Sequence, residues 1–97
     1  MNHYLLMYRP QRETFITDAT AEESAAVSRH FDYLSNLLAD GKLLMAGRVE
    51  DARLGIAILE AADDDAAASI MAHDPAVQAG VFSGELLPFR LALMREN

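Results

Sequence analysis

Apolar residues recur along this chain with two periods, and the changes of period mark its elements. From His3 to Tyr8 the run HYLLMY is largely apolar in both alternating sets, His3, Leu5, Met7 and Tyr4, Leu6, Tyr8. A strand that is apolar on both sides is expected to be covered on both faces. Gln11 to Ala19 has no period and reads as a loop carrying Arg12 and Phe15. Thr20 and Glu23 have capping-box spacing, and a helix is predicted over Glu22 to Asp40, closed by Gly41. Val27, Phe31, Leu34 and Leu38 form its expected buried stripe. His30 stands about 60° round from Val27 at 100° per residue, on the flank of that stripe beside Leu34 and Leu37.

Lys42 to Ala46 is predicted as a second strand, Glu50 to Arg53 as a turn, and Leu54 to Ala61 as a third strand with Leu54, Ile56 and Ile58 on one face. Asp63, Asp64 and Asp65 complement the positive end of a second helix dipole. That helix carries Ala67, Ile70 and Met71 and stops near His73, because Pro75 disfavours a helical Asp74. Pro75 to Ala79 suits a short extra turn closed by Gly80. Glu85 to Met94 closes the chain as a strand with Leu87, Phe89, Leu91 and Leu93 on one face.

The order is β-α-β-β-α-β. That is an α+β, ferredoxin-like arrangement, an antiparallel sheet with two helices on one face. The helices cover one side only, while the first and last strands are greasy on both. A second copy packed sheet against sheet is the simplest cover, so a homodimer is expected.

Length and charge narrow the function classes. Ninety-seven residues make one domain, residues 1–97, large enough for one core. There is no cysteine, hence no disulfide or thiolate metal site. A net charge of -7 opposes a polyphosphate partner, so nucleic-acid binding is not expected. Neither a secretory-type leader nor a membrane span is expected from the residue pattern, and a cytoplasmic location is expected.

Three kinds of site chemistry are open to these residues. His30 suits a general acid/base, or a helix-flank histidine bonded to a carbonyl. Asp74 suits a carboxylate that orients His30, or a cap for the turn opened by Pro75. Both roles of Asp74 can coexist, and spacing alone does not bring it to His30. Arg9, Arg48 and Tyr8 are candidate substrate contacts, the arginines for an anionic group, although Tyr8 equally suits core or interface. No His-based metal motif and no phosphate-cradling glycine loop is present, so neither metal nor cofactor is expected.

Several segments together carry a family resemblance: HYLLMYRP, Arg29-His30-Phe31-Asp32-Tyr33-Leu34, the run Asp40 to Gly47, Glu60-Ala61, His73-Asp74-Pro75 and Pro88-Phe89. The chain is similar to the YCII-related family of small ferredoxin-like proteins along nearly its whole length. The resemblance implies a dimeric α-β barrel type of fold and a His–Asp active-site pair, falling on His30 and Asp74. One activity in that family is dehydrochlorination of a chlorinated hydroxyquinol. A small, cyclic or aromatic metabolite is therefore the expected substrate, turned over by isomerisation, elimination or hydrolysis. The alternative is a noncatalytic dimeric module that binds a small ligand or assists a partner enzyme. Arg48 departs from the pattern, standing where a proline often follows the glycine.

Overall fold

The computed structural model describes residues 2–95. Its elements are β1 Asn2–Pro10, α1 Phe15–Asp18, α2 Ala21–Ala39, β2 Leu43–Arg48, β3 Gly55–Ala61, α3 Asp64–Ala72, α4 Pro75–Gln78 and β4 Phe82–Phe89. The four strands form one antiparallel sheet in the order β2-β3-β1-β4. With α2 and α3 on one face, this is the ferredoxin-like α+β fold.

Local chemistry sets the helix ends. The Glu23 amide donates to the Thr20 hydroxyl at 3.1 Å while the Thr20 amide donates to Glu23 Oε1 at 2.8 Å, closing the capping box. Gly41 takes φ 78 just past the C-cap of α2, where a side chain would be strained. Asp63 caps α3 by accepting from the Ala66 amide at 2.8 Å.

Directly opposed residues of an antiparallel ladder share a face. The row Leu6–Ala57 and the row Tyr4–Leu59–Leu43 lie under the helices, and all five residues are buried. Small Ala57, Ala61 and Ala67 let α2 and α3 come close to the sheet. The opposite face carries Leu5, Met7, Met45, Ile56, Ile58, Leu87 and Phe89. The His3–Glu60 pair at 3.6 Å and the Arg9–Glu85 pair at 3.4 Å stand at its ends.

Three details differ from the sequence-based expectations. The stretch after β1 is not all loop: Phe15–Asp18 makes the single-turn α1. The buried residues of α2 are Ala26, Leu34 and Leu37, whereas Phe31 is 69% and Leu38 is 55% exposed. The helix is turned toward α3 and α4, because Tyr33 donates to the Ile70 carbonyl at 2.7 Å and His30 meets Asp74. In β3 Ile56 and Ile58 share one face as expected, the open one, while Ala57, Leu59 and Ala61 lie beneath the helices. Finally, β4 runs Phe82–Phe89 rather than Glu85–Met94. Its partner β1 ends first, with His3 opposite Phe89, so Leu91 and Leu93 have no strand to pair with.

Candidate active site

Asp74 sits in the break between α3 and α4, where Pro75 begins the next turn. Its side chain caps that turn: the Ala76 amide donates to Oδ1 at 2.9 Å. The other oxygen, Oδ2, receives the Tyr8 hydroxyl at 2.9 Å and lies 2.7 Å from His30 Nδ1. Asp74 is fully buried, so these donors stand in for water around the carboxylate. The capping and orienting roles both occur, on different oxygens.

Three elements position His30. Its ring meets Tyr8 edge-on, with centroids 4.8 Å apart, and Phe82 edge-on at 5.3 Å. Tyr8 comes from the centre of the sheet, Phe82 from the start of β4, and Asp74 from the helix layer. A carboxylate only accepts hydrogen bonds, so Nδ1 carries the proton that points at Asp74. Among the described residues Nε2 has no hydrogen-bond partner, and no buried side-chain nitrogen or oxygen is left unpaired. Nε2 therefore opens to solvent, although the side chain as a whole is only 13% exposed. The geometry is that of a base presented through one nitrogen and fixed through the other.

Burial pushes the Tyr8 hydroxyl far above the usual tyrosine range, and the charge and hydrogen bond of Asp74 raise it further. Tyr8 is thus a permanent O–H donor. Tyr33 is also raised, first by burial and then by the charge of Asp74.

The remaining sequence candidates separate. Tyr8 joins the pair, but it is 3% exposed and its hydroxyl is committed to Asp74, so that hydroxyl is not a substrate contact. Arg9 alternates with Tyr8 along β1 and therefore points to the opposite face of the sheet, where it pairs with Glu85. Within one protomer it does not meet a molecule at His30. Arg48 stays on the helix side, in the row Arg48–Gly55–Tyr8–Gly84. Two strand spacings, about 10 Å, separate it from Tyr8, and its guanidinium donates to the Val49 and Glu50 carbonyls at 3.2 and 2.9 Å. A Cβ at Gly55 would touch only Gly47 and Tyr8 within 4 Å, so the floor between Tyr8 and Arg48 is bare. Sequence reading missed Phe82 and the link from Tyr8 to Asp74. A buried tyrosine hydroxyl needs a partner, which was the available signal for the second.

Two surface clefts lie elsewhere. One is lined by His3, Tyr4, Asp64 and Phe89 among others, the second by Glu22, Glu23, Arg29 and Gly80 among others; neither includes His30 or Asp74. The described residues hold no group of three His, Cys, Asp or Glu side chains placed to bind a metal ion. None of their helices is long and apolar enough to cross a membrane.

Comparison with known proteins gives a family and several solved structures of similar fold. A model of the YCII-related domain matches residues 1–90. The 5-chloro-2-hydroxyhydroquinone dehydrochlorinase of Burkholderia phenoliruptrix, solved with 2,5-dihydroxybenzoquinone, is similar over 92% of this chain and 95% of its own, at 22% identity and TM-score 0.69. An uncharacterised protein of Thermotoga maritima is similar over 91% of this chain and 95% of its own, at 15% identity and TM-score 0.52. No curated protein matches the chain.

Proposed function

The chain belongs to the YCII-related domain family, and from that membership we propose that it is a cofactor-independent enzyme using His30 and Asp74 on a small, cyclic or aromatic molecule. The observation that carries this reading is the 2.7 Å approach of His30 Nδ1 to a fully buried Asp74, with Nε2 left open. Nε2 takes a proton from a substrate hydroxyl or acidic carbon. The electron pair so released expels a leaving group or shifts a double bond. Asp74 stabilises the imidazolium without itself taking the proton. The imidazolium then returns its proton to product or solvent. The dehydrochlorinase of similar fold favours the elimination branch, in which chloride leaves as the proton is drawn off.

Arg48 is the proposed substrate contact on the far side of the bare Gly55 floor, suited to an oxygen anion on the ring. The apolar sheet face is the proposed homodimer surface, since Met45, Leu87 and Phe89 are 52%, 38% and 36% exposed on a face rimmed by ion pairs.

One observation favours a noncatalytic binding module instead: the pair lies outside both clefts and His30 is largely covered. Incubation with a panel of chlorinated hydroxyhydroquinones, hydroxyquinones and unsaturated lactones, read by mass spectrometry, separates the two. Turnover lost in His30→Ala supports the enzyme. Turnover that survives His30→Ala removes His30 as the base, and binding with no turnover across the panel supports the module.

A further inference from the structure

The least expected feature of the site is that Asp74 Oδ2 is shared. His30 Nδ1 at 2.7 Å and the Tyr8 hydroxyl at 2.9 Å converge on one oxygen, while Oδ1 is held by the Ala76 amide at 2.9 Å. We propose that Tyr8 is a positioning residue for the His30–Asp74 pair: its hydroxyl divides the charge on Oδ2, so that Asp74 fixes the ring tautomer without locking His30 as an imidazolium. The proposal deepens the acid/base reading and rests on it.

Three observations support this. The Ala76 amide already anchors the carboxylate through Oδ1, so a second side-chain donor is not needed to hold Asp74 in place. Hydrogen bonds to an ionised carboxylate lower its basicity, and a donor removed from it leaves more charge for the one that remains. Tyr8 also keeps its proton, being buried against Asp74, so the division of charge persists across the pH range in which an imidazole titrates. The groups facing His30 are Tyr8 from β1, the apolar Phe82 from β4 and Asp74 from the start of α4. Tyr33, one turn along α2, turns its hydroxyl to the Ile70 carbonyl instead. Tyr33 is therefore a half-buried hydroxyl near the pair that does not touch it.

The test is carbethoxylation by diethyl pyrocarbonate, which attacks an unprotonated, accessible imidazole nitrogen. Peptide mass spectrometry follows His30 separately from His3 and His73 across a pH series. Tyr8→Phe keeps the ring against His30 and removes only the hydroxyl. The midpoint of the His30 rate profile is expected to rise by about one pH unit, with the reaction several-fold slower at pH 7 and the alkaline plateau retained. Tyr33→Phe is expected to leave the profile in place. If Tyr8→Phe does not fold, protein carrying 3-fluorotyrosine gives the same reading with opposite sign, because the more acidic hydroxyl donates more strongly. A Tyr8→Phe profile that superimposes on the wild type overturns the proposal, as does an equal shift in Tyr33→Phe. A wild-type His30 that reacts at no pH overturns the base reading, and with it the role of Tyr8.

Discussion

His30 Nδ1 lies 2.7 Å from Asp74 Oδ2, a contact that joins the middle of α2 to the first residue of the α4 turn across 44 positions of sequence. It ties the two halves of the helix layer together at a point where the aspartate is also a cap. Asp74 therefore carries stability as well as orientation.

Removing it is expected to expose that double duty. Asp74→Ala strips the cap from α4 and leaves the Tyr8 hydroxyl and one imidazole nitrogen without their partner. The expected loss is about 2–4 kcal/mol, from unpaired donors and a missing cap. Asp74→Asn keeps a good capping side chain and one acceptor oxygen, so it loses less. Urea unfolding of the two variants checks the order; equal losses contradict it.

The corrected face of α2 makes a sharp comparison between neighbours. Leu37 is 7% and Leu38 is 55% exposed. Leu37→Ala is expected to cost about 2–5 kcal/mol, and Leu38→Ala less than about 0.5 kcal/mol. Denaturation that ranks them the other way restores the stripe anticipated from sequence.

Arg12 clasps the entry to α2. Its guanidinium bonds both Glu23 oxygens at 2.9 and 2.6 Å, and Asp18 at 2.8 Å. The hydrogen bonds from Arg12, with the Thr20 amide, hold Glu23 down at about 2, and the Arg12 bond also holds Asp18 below its ordinary value. A depressed carboxylate stabilises the fold above its unfolded value and loses that contribution as pH falls through the folded one. The difference in unfolding midpoint between wild type and Arg12→Ala is therefore expected at pH 7 and to shrink from about pH 4.5 toward 2. A difference that stays constant over that window contradicts the clasp.

The open sheet face gives a prediction about assembly. Leu87 lies on it beside Leu5, so Leu87→Glu places a charge in the proposed dimer surface while leaving the helix-side core alone. Light scattering at micromolar concentration is expected to give a dimer for the wild type and a monomer for the variant. A wild-type monomer contradicts the sheet-to-sheet dimer.

Much of the fold was legible because strong local signals coincide with it. The Thr20–Glu23 box, Gly41, the aspartates before α3 and the Asp74-Pro75 start all sit where their chemistry placed them. What sequence could not give was set by tertiary partners. The face of α2 depends on Tyr33 finding Ile70, and the end of β4 depends on where β1 stops. His30 and Asp74 were visible as residues and the family resemblance implied their pairing, but nothing in the spacing brought them together. The likeness between Arg9 and Arg48 in sequence likewise concealed that they lie on opposite sides of the sheet.

The tautomer of neutral His30 tests the central claim most directly, because an acid/base role through Nε2 requires Asp74 to hold the proton on Nδ1. Long-range nitrogen–proton NMR on labelled protein at alkaline pH reads it, with Asp74→Ala as the comparison. The expected result is an Nδ1–H ring with a bare Nε2 in the wild type, shifting toward Nε2–H when the carboxylate is removed. A wild-type ring protonated on Nε2, unchanged in Asp74→Ala, would contradict the pair.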